Sequence, residues 1–162
     1  MKHHLYRISI TLLTLALVGL SALTAMAVTR PFHLVEHGTL TTTRDGDNLA
    51  LVTDGTGTAT HLGRFDLHRT ATLKPTMEGE LEVDGQATLT AANGDRLESS
   101  IKGTLNPQTG KAVLVYEWQG GTGRFQNATG TTVWLVQVNP PNPDQPDQPQ
   151  TYDVVADGII NY

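Results

Sequence analysis

The chain has 162 residues, a formal net charge of −5 and no cysteine. Without cysteine it has no disulfide, no thiol nucleophile and no thiolate metal site. Its acidic excess and lack of a basic patch argue against nucleic acid as a partner, and an anionic membrane surface would repel it.

Lys2 and Arg7 give a positive start, Ile8 to Leu23 is apolar, and Ala25-Met26-Ala27 supplies the small-x-small pattern of a signal-peptidase site. Residues 1–27 therefore read as a signal peptide cleaved after Ala27, which predicts a secreted or periplasmic protein. An uncleaved anchor is the alternative, since Ile8 to Ala27 is nearly long enough to span a bilayer. The cleavage motif favours removal, and the mature form is then expected to have no membrane partner. Residues 28–162 have the size of one domain, with nine basic residues against sixteen acidic ones, about −7.

Thr and Gly dominate from Gly38 onward, and short segments of period two recur between turn signals, which predicts an all-β fold. His33 to Arg44 reads as a first strand ended by Asp45-Gly46-Asp47. Leu49 to Thr53 can return, followed by Asp54-Gly55. Thr56 to Leu73 alternates over a long run, with Ala59, His61, Gly63, Phe65 and Leu67 on one face and a bend or bulge expected at Gly63. Lys74-Pro75-Thr76 ends it. Glu80 to Ala92 and Arg96 to Leu105 flank Asn93-Gly94, the strongest hairpin signal in the chain. In the second of these, Leu97, Ser99, Ile101, Gly103 and Leu105 share one face. Ala112 to Trp118, Thr131 to Val138 and Tyr152 to Tyr162 complete about eight strands by pattern. Between the last two, residues 139–150 are rich in Pro, Asn, Asp and Gln. Proline lacks the ladder donor, so this segment reads as a solvated, extended loop inside the domain. One closed antiparallel barrel would hide every strand edge without help from disulfides.

Gly120-Gly121-Thr122-Gly123-Arg124-Phe125-Gln126-Asn127-Ala128-Thr129-Gly130 is too rich in glycine for a strand centre. It predicts a tight structural connection, with Gly120, Gly121, Gly123 and Gly130 shaping the turn and Phe125 plugging a core. It is no phosphate loop: Gln126 stands where a third glycine is needed, and Gly-Lys-Ser/Thr is missing. The stretch resembles the Gly-Gly-Thr-Gly-x-Phe-x-x-Ala-x-Gly signature of the dirigent and allene oxide cyclase barrels. Gly57-Thr58-Ala59-Thr60-His61-Leu62-Gly63-Arg64-Phe65 and Ala91-Ala92-Asn93-Gly94-Asp95 with Gly103-Thr104 are similar to further parts of uncharacterised secreted bacterial proteins with the same loop. The resemblance implies a single eight-stranded antiparallel calycin-like barrel with a central cavity. It also implies activities to weigh: guiding phenoxy-radical coupling, as dirigent proteins do, or cyclising a fatty-acid epoxide, as allene oxide cyclases do. Fold alone assigns neither.

The residues themselves name no reaction. His33 and His37 lie roughly 13 Å apart if both sit on one strand, too far for one metal ion. Asp45-Gly46-Asp47 is too short for an EF-hand. Ser99 and Ser100 lack a nucleophile-elbow context. Glu78, Glu80 and Glu82 read as a solvated edge rather than a glycosidase pair. No cofactor and no metal is therefore expected. His61 and Glu117 would sit in an apolar cavity if their strand faces point inward, as acid, base or ligand anchor; otherwise they face solvent or are paired. Tyr116 and Trp134 either line a small-molecule pocket or fill the core. The reading is a secreted barrel that binds a small apolar molecule or serves as a structural module. A cyclase or coupling guide, and a protein-interaction module acting as a homo-oligomer or through the Pro-rich loop, are the alternatives.

Overall fold

Strict alternation of buried and exposed positions decides the architecture, because each strand can then turn one face to a common interior. The computed structural model describes residues 28–144 and 148–162. Eight strands follow in chain order: β1 (Thr29–Asp45), β2 (Asn48–Ala59), β3 (Gly63–Pro75), β4 (Leu81–Ala91), β5 (Arg96–Asn106), β6 (Lys111–Gly121), β7 (Thr129–Val138) and β8 (Gln150–Asn161). Each pairs antiparallel with the next, and β8 closes on β1, so the sheet is a barrel without a free edge. The expected signal segment and residues 145–147 of the Pro-rich loop lie outside the described residues.

The expected strand count and hairpins hold, with two corrections. The run from Thr56 to Leu73 is not one strand. It divides at Thr60–Leu62, where His61 takes φ 70° and Gly63 φ 72°. The Thr60 amide donates to the His33 carbonyl (2.9 Å), and its hydroxyl accepts from the His33 amide (2.9 Å). Those bonds fix a turn that alternation alone does not register. The second correction is that β2 runs through Asp54-Gly55 to Ala59, so that Asp-Gly is ladder and not turn.

The two barrel ends differ. At one end the Gly-rich connection folds inward as a 3₁₀ turn, Gly123–Phe125. Phe125 is fully buried and meets Tyr162 edge-on at 5.3 Å, beside buried Leu62, Ala128 and Ile160. Gly123 has φ 59°, and a Cβ there would collide with the Asp95 carboxylate. Asp95, from the β4–β5 hairpin, pairs with Arg124 at 3.6 Å and holds the plug in place. The Gly-rich stretch is thus a structural closure, as its composition predicts. At the other end lie the β1–β2, β3–β4, β5–β6 and Pro-rich β7–β8 connections, and among the described residues this end stays open.

Replacing Phe125 with Ala removes the plug from a fully buried position. The expected loss is about 3–5 kcal/mol in urea or guanidinium unfolding. A loss below about 1 kcal/mol would show that the closed end does not depend on this ring.

Candidate functional site: a polar floor under an aliphatic cavity

Behind the open end lies a cavity of about 500 Å³. Leucines and valines of seven strands form its wall, among them Leu51, Leu73, Val83, Leu114 and Val136. Arg69, Thr53 and Tyr152 reach it from deeper in the barrel, and Asn139, Pro140, Pro141 and Gln150 stand at its mouth. The described part of the Pro-rich loop is therefore cavity rim as well as connector. Asn139 anchors it: its amide donates to the Thr151 carbonyl (2.9 Å), and its side chain donates to Thr151 and Asp153 (3.1 Å each).

Arg69 sits in β3 at the same parity as Phe65, Leu67, Ala71 and Leu73, so the pleat forces its side chain inward. Glu36 is forced inward from β1 in the same way, beyond Phe32 and Leu34. Arg69 Nη2 donates to Glu36 Oε1 at 3.2 Å, with both side chains essentially sealed from solvent. The Tyr152 hydroxyl donates a short hydrogen bond to the same carboxylate oxygen. Gly38 and Gly55, opposite each other in the β1–β2 ladder, make this possible, because a Cβ at either would run into the Tyr152 hydroxyl. Around the guanidinium stand the rings of Tyr116, Trp134 and Tyr152, with centroids 5.5–5.7 Å away. Tyr116 and Trp134 are themselves stacked at 3.9 Å, and the Trp134 indole donates to the Thr132 hydroxyl at 2.8 Å.

Burial pushes the Glu36 carboxyl above its ordinary value, against the pull of Arg69 and the hydrogen bond from Tyr152. Tyr116 and Tyr152 are also pushed up, first by burial and then by the Glu36 charge, with Arg69 opposing. Among the described residues, Glu36 Oε2, Arg69 Nε and Thr53 Oγ1 are sealed without a hydrogen-bond partner, as are Ser99 Oγ and Trp118 Nε1 elsewhere in the core. Among the described residues, no three His, Asp or Glu side chains come together as a metal site.

Of the residues singled out in the sequence, Tyr116 and Trp134 lie inside and frame Arg69. His61 and Glu117 do not. His61 lies in the β2–β3 turn at the closed end, with Nε2 3.0 Å from the Pro31 carbonyl and its ring edge-on to Tyr162. Glu117 points outward on β6, because Leu114, Tyr116 and Trp118 take the inward parity of that strand. Glu36, Arg69 and Tyr152 are the residues the sequence reading passed over. Their signal was present: a charged or phenolic side chain in phase with an apolar strand face.

No family model matches the chain, and no curated protein matches it. Among solved structures, the pterocarpan synthase dirigent protein GePTS1 is similar in fold, with a TM-score of 0.53 and 12% identity over 97% of this chain and 98% of that one. The barrel is dirigent-like. At that identity the likeness concerns backbone architecture, and the dirigent-like barrel has its cavity furnished by its own side chains.

The raised proton affinity of Glu36 has a definite sign in stability. Folding favours the protonated carboxyl, so the contribution of Glu36 to stability is fully present below pH 4.5 and is lost as pH rises through the folded value. Urea unfolding at a series of pH values should show that loss in the wild type and a flatter profile in Glu36→Gln. Parallel profiles would contradict it. At the alkaline limit, Tyr116 and Tyr152 should yield tyrosinate absorbance only as the barrel unfolds, above pH 10. Their ionisation in a still-folded barrel would contradict the burial argument.

Proposed function

We propose that this protein is an exported, non-catalytic carrier or sensor that holds one small, mainly apolar molecule in the open-ended cavity. The cavity carries the reading: about 500 Å³ of space walled by aliphatic side chains, with polar groups only at its floor and its rim. That is the composition of a small-molecule site, in which apolar wall supplies affinity and a few polar groups fix orientation. Export fits the same picture. Removal of residues 1–27 would leave all eight strands intact, since β1 begins at Thr29.

A second reading, in which the cavity steers a reaction of its guest, draws on a different observation. Glu36 is a buried carboxyl of raised proton affinity, joined to the cavity floor through Tyr152. It also draws on the dirigent-like fold, since GePTS1 is a pterocarpan synthase dirigent protein. The binding reading needs only the cavity and is preferred on that ground.

The test is titration of the purified protein with the neutral fluorescent probe N-phenyl-1-naphthylamine. Emission should rise to a plateau at one probe per chain. Val136→Trp, which fills the cavity, should weaken uptake at least tenfold, while Val133→Ser on the outer face should leave it unchanged. No uptake by the wild type, or equal uptake by Val136→Trp, would overturn the reading.

A further inference from the structure

The donor and acceptor inventory at the cavity floor goes one step further than an apolar guest, though it rests on the cavity being the binding site. Arg69 carries five N–H donors. Nη2 gives one to Glu36 Oε1 at 3.2 Å, the Tyr116 hydroxyl stands beside the guanidinium as a further acceptor, and among the described residues Nε has no partner. The carboxylate oxygen that takes this bond is shared with the Tyr152 hydroxyl. Arg69, Thr53 and Tyr152 all line the cavity, whereas Glu36 stands behind them and does not. A guest looking down from the open end therefore meets the Arg69 side chain, with no carboxylate in front of it. The wall between floor and rim is aliphatic, and polar side chains return at the rim, with Thr42, Gln108, Thr109 and Asn139.

We propose that the cavity takes a monocarboxylic acid with an apolar body, carboxylate first, its oxygens accepting from Arg69 at the floor. The donor surplus calls for an acceptor, and the planar guanidinium matches a carboxylate better than a single-oxygen group. The Glu36 contact leaves guanidinium donors for a second carboxylate, with three rings standing around the cation. The neighbouring Glu36 charge would oppose a second anion. Protonation of Glu36, or sharing of the guanidinium between the two carboxylates, relieves that opposition. The aliphatic wall then takes the body of the acid, and the rim meets water.

The experiment is displacement of N-phenyl-1-naphthylamine by decanoate and by 1-decanol at neutral pH, below the micelle concentration. Decanoate should displace the probe at a concentration at least about tenfold lower than decanol, and Arg69→Met should abolish that preference. Equal displacement by the two compounds, or a preference for decanol, would overturn the proposal while leaving the cavity reading intact. So would a decanoate preference that survives in Arg69→Met. Should Arg69→Met fail to fold, the comparison on the wild type decides by itself, and Arg69→Lys, which keeps a cation but loses the planar fork, should lower the preference. Failure of the wild type to take up the probe at all would strike the cavity reading instead.

Discussion

Everything in this barrel is arranged around one difficulty: a guanidinium and a carboxylate sealed inside a sheet that closes on itself. Moving each ion out of water costs several kcal/mol even after relaxation, and one hydrogen bond of 3.2 Å does not offset that. Three aromatic rings near Arg69 return about 0.5–2 kcal/mol each at most. Tyr152 adds a second donor to Glu36, and the two opposed glycines, Gly38 and Gly55, give its hydroxyl the room to do so. A barrel selected for stability alone would fill these positions with leucine. The polar floor therefore argues for use.

The closed end makes that floor possible. Phe125, Leu62, Phe32 and Trp118 fill the barrel below the ion pair, with Phe32 and Trp118 in ring contact at 5.2 Å, and so keep water away from it on that side. Among the described residues the open end has no such filling, and the cavity begins where the aliphatic wall stands without a central side chain. Sequence, packing and site are linked through the same alternation: the parity that hides the core also delivers Arg69, Glu36 and Tyr152 to one level.

Much of the architecture is legible in the chain. Asn93-Gly94 marks a hairpin, and period two marks the strands from β4 to β8, whose bounds fall within a few residues of their pattern. The Gly-rich loop with its inward Phe125 is legible too, because glycine content and one isolated aromatic leave few alternatives. The β2–β3 turn is not. Thr60, His61 and Leu62 contain no glycine or proline, and the turn is set by hydrogen bonds to His33, nearly thirty residues away. Missing it placed His61 on a strand face that does not exist. Glu117 failed for another reason. Both faces of β6 are apolar, with Val113 and Val115 outside and Leu114 and Tyr116 inside, so hydrophobicity cannot choose between them. Register against β5 and β7 decides, and register is a property of the closed sheet. Arg69 was readable as a charge in phase with Phe65 and Leu67, but its partner Glu36 is thirty-three residues distant and only closure brings them together.

The role of the polar floor turns on whether a guest occupies the space above Arg69. The most direct measurement is a two-dimensional ¹H–¹⁵N and methyl NMR titration of the labelled protein with decanoate. The Arg69 Nε–H signal and the methyls of Leu51, Leu73, Val83, Leu114 and Val136 should move together and saturate together, while the turn at His61 and the outer face at Glu117 stay still. Shifts confined to outward residues such as Val113, Val133 and Leu135, with Arg69 unmoved, would contradict it.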